Sequence, residues 1–333
     1  MNQFINAIGI DVSKKTLDAF DHVQQIATQL PNDAGGFKNL VRWIKENNNG
    51  DISNVLVCFE HTGMYSLPLA TYLTGQKHLY AMVPGLEIKR SLGIRRGKSD
   101  RTDAVAIAKY AYQRREEIKI YQLPSLQILE LKSLLSLREK MVSQRAGYKA
   151  TKREMKTVLK MIRLSRTIFD VQDRLIKELD NQIAKVEKQI KEIINEDEPL
   201  KKTFDLVTSV KGVGLVLGTT MLVYTNCFTA FTEWRKFACY CGIVPFKYRS
   251  GTTIRGKDKI SHFANKKLKT LLSNAACTSI QFNPEMKLYY QRRIEEGKDK
   301  MSTQNIIRNK IVARVFAAVQ RGTPYVDTLR FAA

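Results

Sequence analysis

Strand-like segments stop at Pro124. Before it, short β-prone runs alternate with helical spacing; beyond it, apolar residues fall at steps of three, four and seven. Ile128, Leu131, Leu135 and Val142 make one such stripe, and Leu175, Leu179, Ile183, Val186, Ile190 and Ile193 make a second, with Lys, Arg, Glu and Gln between them. No single sheet can accommodate both patterns. The stripes predict two long amphipathic helices over residues 121–200, paired as a coiled coil either antiparallel or between chains, and closed by the acidic, proline-containing NEDEPL at 195–200.

The first 120 residues read as an α/β domain. AIGIDV (7–12), TLDAFDHV (16–23) and QIATQL (25–30) resemble three strands of a meander, and GGFKNLVRWIKEN (35–47) has the spacing of a helix. NVLVCFE (54–60) is a near-continuous apolar run of the kind buried on both faces, SLPLATYL (66–73) follows as a helix, and HLYAMV (78–83) as a further strand. Residues 201–333 predict a smaller, mostly helical domain with glycine and aromatic clusters, including a helix from Lys266.

Charge bounds the partner. The chain of 333 residues holds 55 Lys plus Arg against 32 Asp plus Glu, a formal charge of +23. Self-repulsion on that scale opposes compaction unless phosphates neutralise it, so a nucleic acid is the expected partner. A basic membrane-bound protein would need an apolar anchor, and the amino terminus reaches Asp11 and Lys14 without a long apolar run; no signal peptide or spanning helix is expected. The five cysteines, Cys58, Cys227, Cys239, Cys241 and Cys277, include no CxxC pair and read as reduced thiols, four of them in apolar or aromatic surroundings.

Four carboxylates stand out. Asp11 follows one apolar strand and Glu60 ends another, where α/β sheets build their sites. In GKSDRTDAVAIAKYA (97–111), Asp100 and Asp103 open a helix three residues apart and share one face. Such a pair also serves as a plain helix cap. Arg95, Arg96, Lys98 and Arg101 crowd the same turn and add phosphate-binding cations beside the acids. Carboxylates at close range repel and bind protons or a hard cation, and an oxygen-only set favours Mg²⁺ or Mn²⁺ over zinc. The four histidines show no zinc spacing.

The segments IGIDVSKKTLD (8–18), CFEHTGMY (58–65) and KSDRTDAVAIA (98–108), in this order and at this spacing, resemble the RuvC-like (RNase H fold) catalytic domain of the DEDD-type insertion-sequence transposases. The resemblance maps the family's metal-binding acidic tetrad onto Asp11, Glu60, Asp100 and Asp103.

In the carboxy-terminal part, SVKGVG (209–214) lies between two apolar helical segments, as in a helix-hairpin-helix whose backbone amides meet a DNA phosphate; Lys211, Gly212 and Gly214 would make that contact, although a plain helix–helix turn has the same look. YRSGTTIRG (248–256) alone reads as turn chemistry. The order of the whole region from Phe231 resembles the same family's carboxy-terminal transposase domain, in which the serine of a YxSG element is the nucleophile; Ser250 occupies that position, with Arg249 and Arg255 as phosphate-holding neighbours and Thr252 and Thr253 as the adjacent hydroxyls. His262 reads as a surface residue.

The resemblance implies a cytoplasmic, nucleoid-associated recombinase of a bacterium or archaeon that moves an insertion sequence through a phosphoserine. It also implies guidance by a structured bridge RNA that pairs with donor and target DNA, in a dimer or tetramer whose active sites combine one protomer's tetrad with another's serine. Two other readings are open: a metal-dependent RuvC-type junction resolvase in which Ser250 is only a turn residue, and a noncatalytic nucleic-acid scaffold.

Overall fold

The computed structural model describes residues 4–91, 93, 100–158, 166–250 and 254–326. It divides into two units, Met1–Leu123 and Pro124–Ala333.

The first unit is a five-stranded sheet in the order β3-β2-β1-β4-β5. Its strands are β1 (Asn6–Val12), β2 (Thr16–Asp21), β3 (Ile26–Pro31), β4 (Val55–Glu60) and β5 (Tyr80–Val83). The β1–β2 and β2–β3 pairs are antiparallel hairpins, whereas β4 and β5 join parallel to β1 through helical crossovers. The alternation of side chains along β1 explains the layering. Ile8 and Ile10 point to one face, where they pack with Phe37, Leu40 and Ile44 of helix α1 (Ala34–Asn47) and Leu69 and Leu73 of α2 (Leu67–Gly75). Ala7 points to the other face, towards Ile88 of α3 (Gly85–Ser91) and Ile107, Tyr110 and Ala111 of α4 (Asp100–Gln113). Burial on both faces is what the unbroken run VLVCFE of β4 requires.

One buried acid shows how this unit treats a structural charge. Asp21 is fully buried on the α1 side, and its carboxylate accepts from Asn6 Nδ2 at 2.8 Å, Asn48 Nδ2 at 3.1 Å and the backbone amides of Val23 and Gln24. Every oxygen is used, as the cost of burying an ion demands.

The second unit begins with α5 (Leu126–Val158) and α6 (Arg166–Glu196), which pack against each other. They run antiparallel: Arg138 pairs with Glu187 at 2.7 Å, Arg145 with Asp180 and Lys152 with Asp173, each pair one heptad further out. The inner ends of both apolar stripes (Ile128, Leu131, Leu135, Ile190, Ile193) are buried in the core of this unit, whereas Leu175 further out is 40% exposed.

Helices α7 (Glu198–Thr208), α8 (Leu215–Thr225), α9 (Trp234–Tyr240), α10 (Lys266–Phe282), α11 (Pro284–Glu295) and α12 (Lys300–Arg321) complete the unit. Asp197, Asn265 and Asp299 start α7, α10 and α12 by accepting from the third residue beyond each cap. Ile307, Ile311, Val315 and Phe316 make α12 the central helix of the core. Strands do not end at Pro124 as the periodicity suggested: between α9 and α10 lies a hairpin of β6 (Pro245–Ser250) and β7 (Ile254–Ile260), too short and too polar to stand out by periodicity.

Among the described residues no helix is long and apolar enough to cross a membrane.

Candidate active site

Asp11 and Glu60 come together through strand register. The parallel pairing runs from Asn6 with Val55 to Ile10 with Phe59, and its next step sets Asp11 beside Glu60. Both lie on the α4 face of the sheet, in phase with Ala7 and Cys58, and both are partly exposed.

Helix α4 brings the third acid. Gly9 lies on the same face between Ala7 and Asp11, and a Cβ placed on it would sit 2.1 Å from the Ala108 backbone nitrogen and 2.4 Å from the Ala104 carbonyl. Only glycine lets a helix backbone rest directly on the strand. Since Ala7 meets the carboxy-terminal half of α4 and Gly9 its middle, α4 runs opposite to β1. Its first turn, with Asp103 immediately before Ala104, therefore reaches the Asp11 end of the strand. Asp100 is the first residue of α4; its side chain and that of Arg101 lie outside the described residues, as do Arg95, Arg96 and Lys98 altogether.

Glu60 is further fixed by Gly85, at the β5–α3 turn. A Cβ on Gly85 would meet Glu60 Oε1 at 1.9 Å and Oε2 at 2.6 Å, so the carboxylate lies flat against that glycine. Gly85→Ala is expected to push the carboxylate aside while leaving the backbone unstrained. Activity should fall by roughly tenfold or more, the usual result of misplacing a reacting group by about 1 Å, with a melting temperature close to wild type. Equal activity in Gly85→Ala would show that the position of Glu60 is unimportant.

Sequence reasoning missed one acid here. Asp18 pairs with Asp11 across the β1–β2 hairpin, on the same face, and is only 9% exposed. Its Oδ1 accepts from Gln29 Nε2 at 2.9 Å, but its buried Oδ2 has no hydrogen-bond partner. A two-residue turn at Lys14–Lys15, with the Ser13 amide donating to the Thr16 carbonyl, sets Asp11 opposite Asp18.

The partly exposed acids on this face offer only oxygen, the set that holds a hard divalent cation, and the orphaned Asp18 oxygen is a group that such a cation would satisfy. Among the described residues no three His, Cys, Asp or Glu side chains converge closely enough to bind a metal by themselves.

Three of the cysteines are poor nucleophiles. Burial pushes the Cys58 thiol up to about 12, helped by the negative charge of Glu87, and burial alone raises Cys241 to about 12. Burial and then the Asp197 charge raise Cys227 to about 11. All three stay protonated at neutral pH.

In the second unit, Ser250 is the last paired residue of β6, opposite Ile254, and Arg249 is the backbone partner of Arg255. The side chains of Arg249, Ser250 and Arg255 lie outside the described residues, as do Gly251, Thr252 and Thr253. The hairpin is anchored at both ends. Asn305 and Asn309, one turn apart on α12, both donate to the carbonyl of Ile243 just before β6, at 2.7 and 3.0 Å. After β7, the Asn265 backbone donates to the Tyr240 carbonyl and its side chain to the Tyr240 hydroxyl. His262, between β7 and α10, is exposed.

The α7–α8 turn has two different glycines. Gly212 has φ +94° and lies against α10, where a Cβ would be 2.2 Å from Ser279 Oγ, the hydroxyl that donates to the Lys211 carbonyl at 2.8 Å. Gly214 caps α8 without a side-chain bond and faces open space, so the first amides of α8 are the accessible ones. Gly212 therefore serves packing, and Gly214 leaves room for an anion.

Comparison with known proteins agrees with both halves. Residues 8–164 match the DEDD family model of IS110 elements, described as a transposase, and residues 204–291 match the model of the transposase IS116/IS110/IS902 family. An uncharacterized 43.6 kDa protein of insertion element IS110 from Streptomyces coelicolor is 28% identical over 120 residues, a stretch that covers 36% of this chain and 29% of that relative. The chain is thus similar, over these two segments and in this order, to the transposases of the IS110 family, and it spans under a third of the length of the relative it matches.

Proposed function

We propose that this protein is a DNA transposase and site-specific recombinase that cuts and rejoins donor and target DNA through a covalent bond to Ser250. The observation that carries the reading is the convergence of Asp11, Glu60 and the first turn of α4 on one face of the sheet, in a chain whose two halves match transposase family models. The strand order, with two antiparallel hairpin strands beside two parallel ones, supports an RNase H-like, RuvC-type catalytic domain.

Asp11, Glu60, Asp100 and Asp103 would hold Mg²⁺ or Mn²⁺, which when bound stabilises the negative charge that builds on the attacking and departing oxygens. Ser250 Oγ attacks the phosphorus and loses its proton to a carboxylate of the acidic site or to solvent. The Oγ–P bond forms as the bond to the departing deoxyribose oxygen breaks, and that oxygen takes up a proton. Arg249 and Arg255, cross-strand partners, grip the phosphate oxygens. Attack by a second DNA hydroxyl reverses the step and frees the serine. One phosphoester replaces another at each stage, so rejoining needs no external energy source.

The charge of +23 suits an assembly with more phosphate than one duplex carries, in keeping with a bridge RNA bound together with both DNAs. Gly214 at the open start of α8, with Lys211 beside it, suits a backbone phosphate. Ile168, Val171 and Leu175 are exposed at helical spacing on the outer half of α6, which supports an oligomer joined through the coiled coil, with tetrad and serine supplied by different protomers.

The test is incubation of the full chain with Mg²⁺, the RNA encoded beside its gene and end-labelled donor and target DNA, followed by denaturing electrophoresis. Label migrating with protein supports the serine reading. Cut DNA without any adduct favours the junction-resolvase chemistry instead.

A further inference from the structure

Asp18 is the one described acid on the α4 face with a buried oxygen left unused. It lies directly across the β1–β2 pair from Asp11, so the two carboxylates stand side by side. Like charges directly opposite in an antiparallel pair destabilise a sheet. Asp18 is also nine-tenths buried, which removes the water that would otherwise screen it. The same unit satisfies every oxygen of Asp21, so an unsatisfied acid is not its habit. The orphaned Asp18 oxygen is the group that a bound cation would satisfy.

We infer that Asp18 is a fifth carboxylate of the metal site, holding the divalent cation together with Asp11 across the β1–β2 hairpin. This rests on the reading of the acidic face as a metal site and extends it to a residue outside the tetrad.

The local structure suits that role. Gln29 on β3 holds Oδ1 at 2.9 Å and thereby fixes the rotamer, leaving Oδ2 for the cation. Asp18 also lines a recess of about 200 Å³ with Phe20, Thr28, Gln29 and Ala104, between β2, β3 and α4, which gives a hydrated ion a route from solvent. Among the described residues no lysine or arginine borders that recess.

The discriminating variant is Asp18→Asn, which keeps an oxygen for Gln29 and removes only the charge. Mn²⁺ binding by the full-length chain is followed by electron paramagnetic resonance of the free ion, and melting temperature is measured with and without Mn²⁺, for wild type, Asp18→Asn and Asp11→Asn. Asp18→Asn should weaken Mn²⁺ binding about tenfold or more, within the range typical of lost metal-site support. Without metal it should melt at or above the wild-type temperature, because a buried charge with an unsatisfied oxygen is gone. Should Asp18→Asn bind Mn²⁺ like wild type while Asp11→Asn does not, Asp18 is structural and the inference fails with the metal site intact. Should Asp11→Asn also bind like wild type, the metal-site reading fails and takes the inference with it.

Discussion

Asp11→Asn and Ser250→Ala are expected to leave a folded, nucleic-acid-binding protein that has lost strand transfer by roughly a thousandfold or more, the scale of removing a group that stabilises transition-state charge or makes the bond. The two losses should differ in kind. Asp11 lies on the acidic face beside Glu60 and Asp18, so its neutral substitute removes one charge from the set that would hold the cation. Its defect should be accompanied by weaker Mn²⁺ binding. Ser250 ends a strand of the second unit, and its alanine variant should bind Mn²⁺ and DNA as wild type does while forming no covalent adduct. Single-turnover cleavage, adduct yield and filter binding on the same preparations make the comparison. A Ser250→Ala protein that still cuts would make water or another hydroxyl the nucleophile. An Asp11→Asn protein with full cleavage would remove the acidic face from the chemistry altogether.

How much of this was legible in the sequence follows from how local each feature is. The strands of the first unit, the long helical segments and the start of α10 at Lys266 all came from periodicity, which needs no partner. The antiparallel pairing of α5 and α6 within one chain was one of two open arrangements; the heptad-spaced ion pairs from Arg138–Glu187 outward decide it within the chain. Asp11 and Glu60 were visible as strand ends, but their adjacency depends on the β1–β4 register, which is set by packing between distant segments. Asp18 lies within the IGIDVSKKTLD segment, but an acid in a β-prone run looks like an outward-facing residue until a helix covers that face. Gly9 and Gly85 gave no signal at all, since a glycine's role in close approach exists only once its neighbour is in place.

Gly9→Ala is the test of that last point, and a large loss of stability is expected from a single methyl. The added Cβ would lie 2.1 Å from the Ala108 nitrogen and 2.7 Å from its Cα, all backbone atoms of α4 that cannot rotate away. The helix must lift off β1, which opens the contacts of Ala7 with Ile107 and of Phe20 with Ala104 and Ala108. Overpacking a core costs about 1–3 kcal/mol even when side chains can yield, so a clash with backbone should reach or exceed about 3 kcal/mol. That corresponds to a drop of roughly 10 °C or more for a domain of this size. The drop should be confined to the melting of the first unit, and activity should vanish even below that temperature, because Asp100 and Asp103 move with α4. Gly147→Ala supplies the contrast. Gly147 lies within α5 with nothing within 4 Å of an added Cβ, so the same methyl there should stabilise the hairpin by up to about 1 kcal/mol. Calorimetry on the two variants separates a glycine that the fold requires from one that it merely tolerates; equal melting in both would mean that α4 rests less tightly on β1 than the 2.1 Å approach implies.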